Sequence, residues 1–454
     1  MTTFLRSSDA FIWSIGADPR MRSTIVSLML LDRSPDFMTV VRRFRGLSHH
    51  VPMFRGRVVP SRWPLPPRWR PDPEFDLAFH VRRVGAPGAG DLDAVLELAR
   101  VAAMADFDPA RPLWEATVID EMTGGGAALL CRMNHALTDG VGAVEISRYL
   151  FDDPRQIGCR PACAVTVPPE STWLPTMSPI GEVVSASVGA AVRALQGSVR
   201  TMPGLLAHAT RHPAGSVRSA GATAASLWRA AGPHRRGSPS MSARSSVRTV
   251  FVHEVPTRAL HRAAAVAGGS LNDAFLAAVV TGLRRYHADR GTVAEFMVTM
   301  PINLRNATDR PGGNRTTLMR FRIPAGPADP AVRMHDIHRL AGAQRAEKSL
   351  AYTSVLAGAV NLAPRCYIRS QFGNVDFIAS NVPGPATPVS LGGAAVRRQY
   401  AFSPTLGSAF NVTLLSYNEV CGIGFNVDTA AIPDVELFRE HLIAGFDEVV
   451  APLR

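Results

Sequence analysis

Apolar and polar positions alternate between two periods along this chain, and both halves contain both. From Met38 to Leu47 the apolar residues recur at helical spacing, with Arg42, Arg43 and Arg45 on the wet side, which predicts a helix. Leu271–Tyr286 is apolar on nearly every turn. Ser270 precedes it and Asp273 follows three residues on, a capping-box arrangement that predicts where the helix starts. Trp114–Ile119 and Ala127–His135 read as strands, and Thr123-Gly-Gly-Gly126 between them makes a hairpin. Further along, Val247–Val255, Phe296–Met300, Phe377–Ser380, Phe410–Ser416 and Cys421–Val427 carry strand patterns. Strands and helices are mixed in both halves, so the expected class is α/β or α+β with two lobes.

Length supports two cores, because 454 residues exceed the ~250–300 at which one core stops growing. Composition separates three regions: 1–160, patterned; 161–246, rich in Ala, Ser, Gly, Pro and Arg; and 247–454, patterned again. The net charge is +12, and the distribution matters more than the sum. No Asp or Glu occurs from Val183 to His253, whereas nine arginines do, so the rest of the chain is close to neutral. Val183–Arg193 and Val199–Arg211 mix apolar residues with Arg. That is the composition of a basic surface helix, and it raises the expectation of peripheral contact with an anionic membrane or lipid droplet through 183–248. A solvated linker between lobes fits the same composition. Nucleic acid is not an expected partner, since only net charge would argue for it. The N-terminus carries no secretory pattern, and no apolar run reaches the ~18 residues of a spanning helix. Five scattered cysteines form neither a disulfide framework nor a zinc set, which fits a reducing, cytoplasmic compartment and no metal.

The stretch with most chemical content is Cys131-Arg-Met-Asn-His-Ala-Leu-Thr-Asp-Gly140. Strand alternation puts Leu129, Cys131, Met133 and His135 on one face and Leu130, Arg132 and Asn134 on the other. His135 falls at the strand's end, before a turn at Asp139-Gly140 and a helix beginning near Val141. An apolar wall behind an imidazole and a cleft in front suit a neutral base near pH 7. A hydrogen-bonded structural histidine and an ordinary Asp-Gly turn account for the same residues.

Asn134-His135-x-x-x-Asp139-Gly140 resembles the HHxxxDG motif of the CoA-dependent acyltransferase superfamily, and the wider chain resembles its bacterial wax ester synthase/diacylglycerol acyltransferase branch. The supporting stretches run in order: Ser8-Asp-Ala-Phe11, Pro52-Met-Phe-Arg55, Phe75-Asp-Leu77 with His80-Val81, and Arg111-Pro-Leu-Trp-Glu115. Then come Leu271-Asn-Asp-Ala274, Pro301-Ile-Asn-Leu-Arg305, Gly313-Asn314 and Ser380-Asn-Val-Pro-Gly-Pro385. The likeness covers nearly everything except the middle region.

The resemblance implies two chloramphenicol-acetyltransferase-like lobes with a tunnel between them. It implies acyl-CoA as co-substrate, diacylglycerol or a long-chain alcohol as acceptor, and no dissociable cofactor. His135 would be the general base, acting without a covalent acyl-enzyme. Asp139 would hold the loop by pairing with an Arg, for which Arg305 is a candidate. Asn272 matches a family Asn near the reacting atoms. It also falls in the first turn of the predicted helix, where unpaired N–H groups favour negative charge; a simple helix cap is the competing account. Asn134, Gly140, Ser380 and Asn381 would stand on the substrate side.

The departure from the family pattern is Asn134, where the motif has His. Alternation points it away from His135's face, as a hydrogen-bonding support for the backbone. The competing view is a non-catalytic or weakly active acyl-lipid-binding relative. A condensation-type enzyme acting on carrier-bound acyl groups is a further alternative.

Overall fold

The computed structural model describes residues 3–61, 65–152, 236–303, 316–345 and 373–451. Most of the 161–246 region, including Arg193, Arg200 and Arg211, and the 304–315 segment with Arg305 therefore lie outside the described residues, as do Cys159, Cys163 and Cys366.

In chain order the strands are β1 (Thr3–Phe4), β2 (Thr24–Leu31), β3 (Gly56–Val59), β4 (Arg68–Pro71), β5 (Val81–Gly85), β6 (Trp114–Asp120), β7 (Ala127–Asn134), β8 (Arg248–Pro256), β9 (Glu295–Asn303), β10 (Thr316–Pro324), β11 (Phe377–Pro383), β12 (Ser390–Leu391), β13 (Ala394–Phe402), β14 (Phe410–Tyr417) and β15 (Val420–Asp428). The helices are α1 (Ser7–Ile15), α2 (Phe37–His50), α3 (Leu77–His80), α4 (Leu92–Met104), α5 (Gly140–Ser147), α6 (Thr257–Val266), α7 (Leu271–Tyr286), α8 (Pro330–Arg345) and α9 (Val435–Val450).

Two six-stranded mixed sheets dominate, ordered β12-β13-β2-β7-β6-β5 and β10-β9-β11-β14-β15-β8, with a small β1-β4-β3 sheet beside the first. The first sheet is covered on both faces. Leu129, Cys131 and Met133 pack with Val40, Phe44 and Leu47 of α2 on one side. Ala128 and Leu130 pack with Val95, Leu96 and Ala99 of α4 on the other. In the second lobe α7 is the central helix, buried along almost its whole length from Asp273 to Leu283. Among the described residues no single helix is long and apolar enough to cross a membrane; the bent pair α6–α7 has the composition but belongs to the second lobe's core.

The lobe boundary expected at residue 247 does not hold as drawn. β12 and β13 come from the second half of the chain, yet β13 pairs antiparallel with β2 and completes the first lobe's sheet. On its other side β13 lies against β15. A Cβ on Gly422 would come within 2.2 Å of the Gln399 carbonyl oxygen, and one on Gly424 within 2.2 Å of the Ala401 carbonyl oxygen. Only glycine permits this approach of two backbones. The second lobe also begins before Val247, because Arg236, Arg244 and Arg248 are already bonded into it.

Of the basic segment 183–248, only residues 236–248 are among those described, and three of its arginines lie there. Arg236 donates to the Ser242 carbonyl and to Asn374. Arg244 donates to the carbonyls of Gly407 and Val375, and burial pushes its pKa down to about 10. Arg248 is buried in an ion pair with Asp428 at 3.0 Å. Arg236 and Arg244 bond within the second lobe, while Arg248 also donates to the Arg20 carbonyl of the first lobe at 3.1 Å.

Candidate active site

β7 ends at Asn134, one residue earlier than its pattern predicts, and His135 opens a tight turn into α5. The ladder still reaches the histidine: its N–H donates to the Ser23 carbonyl at 2.7 Å, extending the β2–β7 pairing by one step. Asn134 supports the turn. Its Oδ1 accepts the Ala136 N–H at 2.9 Å and the Ser23 hydroxyl at 3.4 Å. Its carbonyl accepts the Leu137 N–H at 2.9 Å. This is the supporting role that strand alternation assigned to Asn134, and an amide oxygen performs it without titrating.

Ala136, Leu137, Thr138 and Asp139 are all buried, so the turn is held by packing as well as by bonds. Asp139 is the N-cap of α5. Its carboxylate accepts the Gly142 N–H at 2.8 Å, where the helix dipole favours negative charge. The expected partner Arg305 lies outside the described residues. Gly140 is the first residue of α5.

His135 is half-buried as a residue. Protein nevertheless crowds the ring enough that lost hydration holds its pKa below the ordinary 6.5, with the charge of Asp139 pulling weakly the other way. The imidazole is therefore largely neutral at pH 7, the form that accepts a proton. Cys131, four residues earlier on the same strand face, is not a competing nucleophile: burial pushes its thiol to about 12.

The second lobe meets this turn through β11, whose C-terminal half packs on α5. β11 alternates faces: Phe377 and Ala379 join the core around α7, so Asn381 points that way too. Its Nδ2 donates to the Asn272 Oδ1 at 2.6 Å, in the first turn of α7. That bond uses the Asn272 amide oxygen and leaves its N–H groups out of it. The cap of α7 is supplied by Ser270 and Asp273, whose carboxylate also accepts from His338 at 2.8 Å. Asn272 is thus not the cap. Ser380 lies on the opposite face of β11, the one shared with Val382 and turned toward the first lobe.

A cavity of about 60 Å³ lies in the first lobe where Val382 and Leu415 of the second close on it; its wall includes Met133 and Ala143 on either side of the turn but not His135 itself. Ile25, Ser27 and Met29 of β2 form one wall, with Cys131 and Met133 of β7 next to them. Ala143, Val144 and Ser147 of α5 close one end, Phe44, Phe54 and Trp114 the floor, and Gln399, Ala401, Val382 and Leu415 the side made by the second half of the chain. Sequence patterns did not single out Gln399 or this wall. The one available signal was a polar residue in the apolar run Gln399–Phe402.

Two mixed sheets are thus joined by a borrowed strand, with a histidine turn where β11 of the second lobe meets α5 of the first. The wax ester synthase/diacylglycerol acyltransferase catalytic-domain profile matches residues 5–275, and the C-terminal-domain profile of the same family matches residues 312–449. The chain belongs to this wax ester synthase/diacylglycerol acyltransferase family.

Among its relatives is "Putative diacyglycerol O-acyltransferase Rv2484c" of Mycobacterium tuberculosis (strain ATCC 25618 / H37Rv), 36% identical over 441 residues, covering 96% of this chain and 89% of the relative. "Putative diacyglycerol O-acyltransferase Rv3087" of the same strain is 28% identical over 437 residues, covering 90% and 88%. Among solved structures, the wax ester synthase/diacylglycerol acyltransferase of Marinobacter aquaeolei VT8 superposes with a TM-score of 0.64 at 18% identity, over 99% of each chain. The first condensation domain of the CDA synthetase superposes at 0.61 with 16% identity, over 100% of this chain and 97% of that one. At these identities the two structures speak for the fold alone.

Proposed function

We propose that this acyltransferase moves a long-chain acyl group from acyl-CoA to the hydroxyl of diacylglycerol or of a long-chain alcohol, with His135 as general base. The observation that carries this reading is a neutral imidazole, held at the lobe seam by Asn134 and Ser23, next to an apolar cavity. The imidazole takes the hydroxyl proton as the oxygen attacks the thioester carbonyl. The tetrahedral intermediate carries an oxyanion, for which the Asn272 amide N–H groups are candidate donors. Collapse breaks the C–S bond, and the imidazolium returns its proton to the leaving CoA thiolate. The Asn272–Asn381 bond fixes the rotamer of the donor, and Asp139 fixes the start of α5.

The alternative of a decayed lipid-binding relative finds less support. Asn134 keeps its partners satisfied and leaves His135 in place, so the substitution removes nothing that the base requires. A cytoplasmic enzyme working at a membrane or droplet surface, where its acceptor is dissolved, is consistent with this chemistry.

The deciding experiment incubates the purified chain with radiolabelled palmitoyl-CoA and a panel of diacylglycerol, monoacylglycerol and hexadecanol. Triacylglycerol or wax ester formation, with release of CoA, is the expected result. CoA release by hydrolysis alone, with no acceptor esterified, would contradict it.

A further inference from the structure

Ser27, Glu115, Arg132, Ser147, Ser403 and Gln399 bring polar groups to the cavity wall, and among them Gln399 stands out. Gln399 is 4% exposed, and its Nε2 has no hydrogen-bond partner among the described residues. Its position follows from the pairing. Gln399 stands opposite Met29 and Ala401 opposite Ser27, and all four line the cavity, whereas Tyr400 and Phe402 point to the other face, against α4. The side chain is therefore turned toward the cavity rather than left over in a packed core. Buried amides are ordinarily paired, so one that is not, facing a space, marks a feature of that space.

The cavity also has a direction. At one end its wall reaches Ile25 and its partner Met133, one step short of the Thr24–Asn134 pair that precedes His135. At the other Met29 pairs with Gln399. Five residues of β2 separate Thr24 from Met29, about 17 Å of strand at ~3.3 Å per residue. Extended chain covers roughly 1.2 Å per bond, so an alkyl tail running straight from the reacting carbon would reach Gln399 after about fourteen bonds. The existing space holds only about four to six waters. A tail must displace its lining, and Met29 and Met133 are side chains that repack at little cost.

We propose that Gln399 is a polar stop that sets the longest plain hydrocarbon chain this cavity accepts. A tail ending short of it gains the full benefit of burial and leaves the amide its access to water. A tail passing it presses methylenes against a donor that then bonds nothing, which offsets what the added methylenes contribute. Acyl transfer is assumed here only in assigning the chain: it belongs to the acyl donor or to the acceptor alcohol, and the two are separable by experiment.

The test is calorimetric titration of the full chain with two homologous series, non-hydrolysable alkyl-CoA thioethers and free primary alcohols, from decyl to eicosyl. For the native protein, affinity should improve by about fourfold per methylene up to the stop and then cease to improve. Gln399→Met keeps the length of the side chain and removes the amide. In that variant the break should move outward by at least two carbons, and the eicosyl member should bind about tenfold better relative to native. Gln399→Leu serves the same purpose if Gln399→Met folds poorly. The series in which the break moves identifies the chain held. A break that stays put in both series, or an equal loss at every length, overturns the proposal. Because binding is read without turnover, failure of acyl transfer would show separately, as chains bound but never esterified.

Discussion

The two lobes solve the same architectural problem differently. The second sheet is closed by its own half of the chain, around α7, which is buried from Asp273 to Leu283. The first is completed only by β12 and β13, borrowed from the other half. The first lobe carries the candidate base on a turn tied by local bonds from Asn134 and Ser23. The second half of the chain contributes amides from longer range, Asn272 braced by Asn381 in the second lobe and Gln399 carried into the first lobe on β13. The difference teaches that neither half holds a complete site. The base is positioned by its own lobe, but its surroundings are set by how closely the other lobe can approach.

The seam is where that comparison breaks most easily. Gly424→Val places carbon against the Ala401 carbonyl, which β13 cannot relieve without moving. A loss of about 3 kcal/mol or more is expected, together with most of the activity, because β13 would leave both β2 and the cavity. Thermal melting alongside the acyl-transfer assay checks it, and a native-like Tm with full turnover would contradict the seam account.

A smaller effect distinguishes the lobes' chemical shares. Asn272→Ala should lower kcat by roughly 10²–10³-fold if its N–H groups meet the oxyanion, with little change in KM. Asn381→Ala acts only through Asn272 and should cost less. A change confined to KM in both variants would assign the pair to binding instead.

The smallest effect belongs to Asn134. Asn134→His retains a donor and an acceptor and should alter the rate by only a few-fold. Asn134→Leu strands the Ala136 N–H and the Ser23 hydroxyl, at about 1–3 kcal/mol, and should act by misplacing His135. Steady-state rates of both against native decide the matter; revival by Asn134→His over several orders of magnitude would mean that the native chain is a dormant enzyme.

How much of this was legible in the sequence depended on how local each signal is. The start of α7 was readable from Ser270 and Asp273, and its length from an unbroken apolar run, because capping and burial act within a few residues. The β6–β7 hairpin was readable from its glycine turn. β2 was not among the strands picked out, although it is central. It is covered on both faces, so its apolar run lacks the alternation that marks a half-buried strand. β13 was missed for the opposite reason: the register shifts between Val396 and Arg398, so Arg397-Arg398 interrupts the pattern. Strand alternation pointed Asn134 away from the face of His135, and its bonds to Ala136 and Ser23 are local ones. Asn272 was correctly placed in the first turn of α7, but its bond to Asn381 joins two distant segments and left no local trace. Gln399 acquires meaning only through its pairing with Met29, which no spacing rule could supply.

The central claim is that His135 is the base, and His135→Ala measured in the acyl-transfer assay over a pH series tests it most directly. Native activity should persist below pH 6.5, since burial lowers the pKa of His135 and the base stays neutral into milder acid, and should fall only as that lowered pKa is crossed. The Ala variant should melt like the native protein, lose about 10²–10⁴-fold in kcat, and lose the acidic limb with it. A well-folded His135→Ala protein that keeps most of its rate, or that keeps the same acidic limb, would contradict the account.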